Sequence, residues 1–450
     1  MSSGLDARQR PRDTITAALE SGTLHDVKRL LRALEPGEVA HIIGSSPPRH
    51  RHVLWQLLER NQEAEVLNEV GEELRSDFLK AMAPDEVAQI AEELDDDDIA
   101  DILQELPDAF TQQVLEAMDE QARDRLEKVL VYPEDTAGGL MNTDTVTIRA
   151  DVTLDVVLRY LRRHEELPDM TDTLIVVSRD DRYVGLLPLR TVLVADPGCS
   201  VRELMLTKRK PIPVDMPDDE VARLFERNDW ISSPVVEEGG YVVGRITIDD
   251  VVDVIREDGD HSLMSMAGLD EDDDTFAPAL KTARRRAIWL GVNLLTAFIA
   301  ASVINLYQGT IEKVVALAVL MPIVASMGGI AGTQTLTVLV RALAMGQINR
   351  GNARWLILRE LSAGALNGLV WAAVVAGAAS IWFGDPALGW IIAAALIINL
   401  VTAGITGAVL PMTLHRLNID PALAGGVVLT TVTDVVGFVA FLGLATAFYG

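Results

Sequence analysis

The sequence predicts a multidomain membrane protein: an acidic α-helical amino-terminal repeat domain, an α/β tandem pair, a connecting helix and five transmembrane helices. Charge, hydropathy and internal repetition each point there. Of 450 residues, 66 are acidic and 39 basic, a net charge of −27, although 49% are hydrophobic. The two properties belong to different parts: the first 280 residues hold 61 acids and 29 bases, the last 170 only five and ten. Five long apolar runs lie in the second part and two repeats in the first. A charged front is water-soluble and an apolar back spans a bilayer, which excludes a purely soluble enzyme. A front so acidic repels phosphate backbones and anionic headgroups; it is no nucleic-acid binder, and cations are its natural partners. The single Cys199 excludes an intrachain disulfide and a cysteine-rich metal cluster.

Residues 1–20 are expected to form a disordered tail; Asp6, Arg8, Arg10, Arg12, Asp13 and Glu20 leave no apolar core of signal-peptide type. Residues 21–131 repeat a helical phrase at 36–43 (PGEVAHII), 84–91 (PDEVAQIA) and 96–103 (DDDIADIL). Proline or acidic residues start each helix, where they suit its dipole, and apolar residues follow at helical spacing. The phrase predicts stacked short helices with an acidic exterior. The run 95–98 alone reads as an ordinary helix start, but Glu92, Glu93, Asp101 and Asp108 add a density that favours cation binding.

Residues 132–257 repeat the order strand, helix, two strands, helix, first over 141–187 and again over 205–246. This order resembles a tandem CBS-domain pair, a regulatory module. Gly244, Thr247 and Asp250 resemble the glycine, hydroxyl and carboxylate spacing with which some such pairs hold a nucleotide, so ATP is a candidate cofactor. The first copy lacks the hydroxyl, leaving at most one such site. A connecting helix is expected over 258–286. Its approach, Asp249, Asp250, Asp253, Glu257, Asp258 and Asp260, runs on into 270–274. Such a connector is either simply solvated or a switch whose facing carboxylates repel until a divalent cation bridges them.

The membrane domain, 287–450, offers spans at 288–306, 314–340, 361–383, 389–410 and 422–448. Lys281, Arg284, Arg285, Arg286, Arg341, Arg350, Arg354, Arg359 and Arg416 fall on one side and Lys313 on the other. That asymmetry puts the amino-terminal half in the cytoplasm and the carboxyl terminus outside the plasma (inner) membrane. Asp434 lies deep in the last span, where an ionisable group costs about 3 kcal/mol and marks an ion path or proton relay. Asn293, Asn305, Asn367 and Asn399 either bond across helices or line a pore. Pro322, followed by Gly328, Gly329 and Gly332, predicts a bent or loosened helix that exposes carbonyls. Carboxylate, hydroxyl and carbonyl oxygens suit a hard, strongly hydrated cation such as Mg²⁺.

Taken together, the phrases at 132–141 (YPEDTAGGLM), 290–297 (LGVNLLTA), 322–334, 420–424 (DPALA), Thr430-Thr431 and 434–437 (DVVG) resemble the MgtE family of magnesium channels along nearly the whole chain. The resemblance implies a homodimer in membrane lipid, a Mg²⁺-selective channel for influx with its pore between subunits, and Asp434 as the central site for hydrated Mg²⁺. It implies a pore lined by Pro322, Gly328, Gly329, Thr333, Asn293 and Thr430. It also implies that intracellular Mg²⁺ closes the pore through Asp95, Asp98, Asp229, Asp249, Asp250, Asp253 and Glu257. Ile330 stands where many members carry Asn, and 425–427 read Gly-Gly-Val where many read Ser-Gly-Pro. The rival expectations are a secondary cation transporter or exporter coupled to protons through Asp434, and a membrane-anchored CBS receptor without transport. No phosphate-binding P-loop, nucleophile elbow or zinc-ligand spacing points to an enzyme.

Overall fold

The computed structural model describes residues 24–91, 94–104, 106–163, 167–269, 274–349 and 351–450. The expected tail over 1–20, the acids Glu92 and Glu93, residues 270–273 and Arg350 lie outside them. The chain divides into one unit of residues 1–259 with 272–278, and a second of 260–271 with 279–450.

In the first part of this unit, up to residue 131, nine helices are described: α1 (Leu24–Leu31), α2 (Pro36–Gly44), α3 (Pro48–Trp55), α4 (Arg60–Glu69), α5 (Glu72–Leu79), α6 (Pro84–Ala91), α7 (Asp96–Gln104), α8 (Asp108–Ala117) and α9 (Glu120–Val129). Their apolar stripes meet in one core; in α6 the buried set is Val87, Ala88, Ile90 and Ala91, behind Asp85 and Glu86 in the first turn. Trp55 stacks on Phe78 within that core, ring centroids 4.5 Å apart.

The α/β pair follows. Its first copy comprises β1 (Thr147–Arg149), α10 (Leu154–Leu161), β2 (Thr173–Val177), β3 (Tyr183–Pro188) and α11 (Leu189–Val194). After the short α12 (Val201–Leu204), the second copy has β4 (Ile212–Pro213), α13 (Asp218–Asn228), β5 (Ser232–Val236), β6 (Val242–Thr247) and α14 (Ile248–Ser265). In each sheet the first pairing is parallel and the second antiparallel. The leading strands are shorter than expected because the residues before them bridge to the other copy or beyond. Asn142 and Arg245 exchange backbone hydrogen bonds at 2.8 Å, and Leu186 and Leu206 do so at 3.0 and 2.7 Å.

The connecting helix expected over 258–286 is instead α14, which begins ten residues earlier at Ile248 and ends at Ser265; the described residues 266–269 and 274–278 are not helical, and helix resumes at Ala279. Thr247 caps α14: the Asp250 carboxylate accepts the Thr247 N–H at 3.2 Å and its hydroxyl at 2.8 Å, a local arrangement that starts a helix there.

The second unit contains five helices long and apolar enough to cross a membrane: α15 (Ala279–Leu306), α17 (Ala316–Ala344), α18 (Ala353–Phe383), α19 (Pro386–Arg416) and α20 (Pro421–Tyr449), with the short α16 (Gln308–Lys313) between the first two. At 28 to 31 residues each, they outrun the expected apolar segments because helix continues into flanking polar turns, carrying Arg354, Arg359 and His415. The helix expected to bend or loosen at Pro322 is continuous through it. α17 stays helical throughout, and its glycines serve close packing: a Cβ on Gly332 would meet Leu429 at 2.9 Å, and one on Gly407 would meet the Gly332 carbonyl at 2.8 Å.

Candidate metal and pore sites

In the first unit, acids from two helices and a loop converge. Asp95, Asp97 and Asp98, at the start of α7, place one carboxylate oxygen each within 4.8 Å of one another. Asp101 follows one turn later, and the first turns of α14 bring Asp249, Asp250, Asp253 and Glu257 at helical spacing. Asp97 is 4% exposed and its Oδ1 has no hydrogen-bond partner. Burial, then the neighbouring Asp250, holds its pKa well above the usual carboxylate range. Burial likewise pushes Asp98 up to about 6. Burial followed by Asp249 raises Asp250 to about 7, and burial followed by Glu134 raises Asp101 to about 8. Asp95 and Glu257 are raised in the same direction, again chiefly by burial.

Carboxylates so placed are short of positive charge. Arg75 lowers the pKa of Asp98, Asp101 and Glu257, and Arg245 that of Asp95, but neither offsets the burial. An orphaned buried oxygen amid mutually repelling carboxylates fits a hard divalent cation, which would be held by Asp95, Asp97 and Asp98 with Asp250 alongside. Asp97 and Asp101 are additions to the expected ligand set. The i, i+3 and i, i+4 spacing from Asp98 and Asp97 to Asp101 was the available signal.

The remaining acids are used otherwise. Asp96 accepts from the Thr143 hydroxyl and its own N–H bonds Asn142 Oδ1 at 3.1 Å, which fastens α7 to the α/β pair. Asp229 is the left-handed C-cap of α13, φ 52°. Asp274, expected among repelling connector carboxylates, is instead ion-paired with Arg51.

Gly244, Thr247 and Asp250, the expected nucleotide residues, lie together where β6 runs into α14. The Thr247 hydroxyl is committed to Asp249 and Asp250 as the helix cap, and a Cβ on Gly244 would lie 2.7 Å from the Asn142 carbonyl, so the glycine serves the contact between copies.

In the membrane unit, Asp434 is half-buried, thirteen residues into the 29-residue α20. One turn earlier Thr430 is exposed, and a Cβ on Gly329 of α17 would sit 3.7 Å from its methyl. Pro322 and Thr333 are exposed on α17, as is Asn293 on α15, whose amide donates to the Trp289 carbonyl at 3.1 Å. Gly328, expected among the pore residues, faces the bundle interior: a Cβ there would collide with the Asn399 amide.

Asn399 itself, fully buried on α19, donates to the Val324 carbonyl at 2.8 Å while its Oδ1 is unpartnered, and it touches the space left by Gly437 of α20. This amide therefore ties α17 to α19 one turn from Asp434. Asn399→Leu keeps the branched shape with bulkier ends, loses the hydrogen bond and crowds both glycines. A cost of about 1–2 kcal/mol is expected, read as a lowered melting temperature in detergent; an unchanged melt would deny Asn399 this role.

Glu360 escaped the sequence reading because the expected span began at residue 361. It is 8% exposed inside α18 and accepts from the Thr335 hydroxyl at 3.1 Å, with Arg359 at 3.5 Å.

Comparison with known proteins yields consistent matches. The MgtE profile, described as a divalent cation transporter, matches residues 321–444, the MgtE intracellular N domain matches 34–135, and the CBS domain matches 137–198 and 201–257. The magnesium transporter MgtE of Bacillus subtilis is 31% identical over 446 residues, 96% of either chain. The magnesium transporter MgtE of Thermus thermophilus is 32% identical over 437 residues, 96% of this chain and 97% of that one. Among solved structures, the cytosolic domain of the Mg²⁺ channel MgtE in complex with ATP aligns at TM-score 0.50 and 34% identity, covering 54% of this chain and 99% of that one.

Proposed function

Because this chain belongs to the MgtE family of magnesium transporters, we propose that it is a Mg²⁺-selective influx channel that intracellular Mg²⁺ closes. The observation that carries the reading is Asp434, a carboxylate at mid-helix flanked by the exposed Thr430. A buried charge at that depth is retained for a cation path. A strongly hydrated ion keeps its waters and meets the carboxylate through them, so the Thr430 hydroxyl and the flank of Gly329 shape the space around it.

The pore lies between two copies of the chain, each presenting Asp434 and the exposed side of α17. Pro322, Thr333 and Asn293 are the further candidates for its wall. The arginines flanking α15 and α18 set the amino-terminal half in the cytoplasm and Gly450 outside the inner membrane. Inward flux is then driven by the membrane potential, about 2.3 kcal/mol per charge per 100 mV.

Closure uses the acidic cluster. When Mg²⁺ is scarce, Asp95, Asp97, Asp98, Asp101, Asp249, Asp250, Asp253 and Glu257 repel across the contact between α7 and α14. A divalent cation supplies the missing positive charge, and the two helices are drawn together. An adenine nucleotide, as in the relative's cytosolic domain, is a second regulator at the α/β pair, with Gly244, Thr247 and Asp250 as the candidate residues. Transport, with no covalent step, is the whole of the chemistry.

The test is Mg²⁺ uptake into proteoliposomes under an imposed potential, with and without a pH gradient. Uptake that follows the potential alone supports a channel. Uptake that requires the pH gradient replaces it with a proton-coupled carrier.

A further inference from the structure

Arg51 is a buried cation in the helical domain, and its partner is distant in sequence. The side chain is 6% exposed; its Nη2 lies 2.8 Å from Asp274 Oδ1 while Nη1 meets Oδ2, a bidentate pair across 223 residues. The guanidinium is held ready by its own domain, since Nε donates to the Ser46 carbonyl and Nη2 to the Gly44 carbonyl, both at 2.8 Å. Phe276 lies over the same guanidinium, 5.8 Å from it to the ring centroid, and its N–H donates to Asp274 Oδ1 at 2.9 Å. Residues 274–276 thus lie against the helical domain, forming one wall of an open groove whose other wall is Gly37, His41, Gly44, Glu69 and Gly71.

The seated segment is placed to matter. It follows the connecting helix and ends at Pro278, and the first membrane-spanning helix begins at Ala279. A planar bidentate pair, desolvated and backed by an aromatic ring, is a specific and costly contact to break. We propose that the Arg51 groove is a docking site for the chain's own Asp274–Phe276 strap. It ties the helical domain to the segment entering the first span, so that domain movement reaches the span without passing through the connecting helix. The docking stands on this geometry alone; its effect on transport rests on the gating reading above.

Hydrogen exchange on the full-length protein in detergent tests the docking. Asp274→Ala and Phe276→Ala are expected to speed exchange over 274–278 by about tenfold or more, and to deprotect the peptide around Gly44–Arg51, while the core near Leu67 and Phe78 is unchanged. If Asp274→Ala melts the helical domain, Phe276→Ala, which leaves no buried charge, gives the reading. Exchange equal to wild type in Phe276→Ala and Asp274→Ala overturns the docking.

Mg²⁺ uptake measured on the same variants then tests the coupling. Release of the strap is expected to raise the internal Mg²⁺ needed for closure by about threefold or more. An unchanged threshold with a released strap overturns the coupling and leaves the docking. A wild-type protein indifferent to internal Mg²⁺ overturns the gating reading together with the coupling, again leaving the docking to stand on exchange.

Discussion

Replacing Asp434 with Ala is expected to reduce Mg²⁺ uptake into proteoliposomes by about 100-fold or more. A divalent ion about 4 Å from a carboxylate gains several kcal/mol even at an effective dielectric of about 20, and a hundredfold loss corresponds to only about 2.7 kcal/mol. Two copies around one pore lose two charges at once. Asp434→Asn keeps the shape and should fail nearly as badly, which separates charge from packing. Because Asp434 is half-buried rather than enclosed, both variants should still insert and melt close to wild type. Uptake within a fewfold of wild type in either variant would remove Asp434 from the path.

The second large effect concerns pH and metal together. Carboxylates raised by burial, Asp98 to about 6, Asp250 to about 7 and Asp101 to about 8, bind protons in the folded protein that the unfolded chain has already released. The folded state therefore holds more protons between pH about 4 and about 8, and metal-free stability must fall as pH rises through that window. Between pH 6 and pH 8 the loss is on the order of 3 kcal/mol, about 5–10 °C in the melting of the first unit in EDTA. Millimolar Mg²⁺ should restore most of it at pH 8 and much less at pH 6. Near pH 7 its binding should release about one proton per chain. A melt that is flat in pH, or equal protection by Mg²⁺ at both values, would mean that the cluster is solvated and binds no cation.

Periodicity made much of this molecule legible. Apolar runs of twenty residues are unambiguous, and all five became helices long enough to cross a membrane; the strand and helix order of the α/β pair repeats as read. What stayed hidden depended on contacts between distant residues. Thr247 and Asp250 carry a spacing shared by a nucleotide cradle and a helix cap, and the bonds from Thr247 to the Asp250 carboxylate became visible only in the structure. Pro322 and its glycines read as a weakened helix, yet the helix continues through them, and the same lack of side chains lets α19 and α20 pack closely against α17.

At the acidic cluster the sequence showed density but not depth. Asp97, the most enclosed of the run, looked the same as its neighbours. Its burial follows from the packing of α7 against the α/β pair through Asp96, Asn142 and Thr143. Asp274 was one acid among many until Arg51 selected it, and Glu360 was lost because an apolar window cannot include a carboxylate that Thr335 satisfies inside the bundle.

The central claim is that one chain both conducts Mg²⁺ and reads its concentration on the cytoplasmic side. It is tested most directly by recording Mg²⁺ current under voltage clamp while cytoplasmic Mg²⁺ is stepped from zero to several millimolar. The account predicts a current that follows voltage at low cytoplasmic Mg²⁺ and shuts steeply within the millimolar range, well beyond the small loss of driving force. A current that declines only in proportion to the driving force would contradict it.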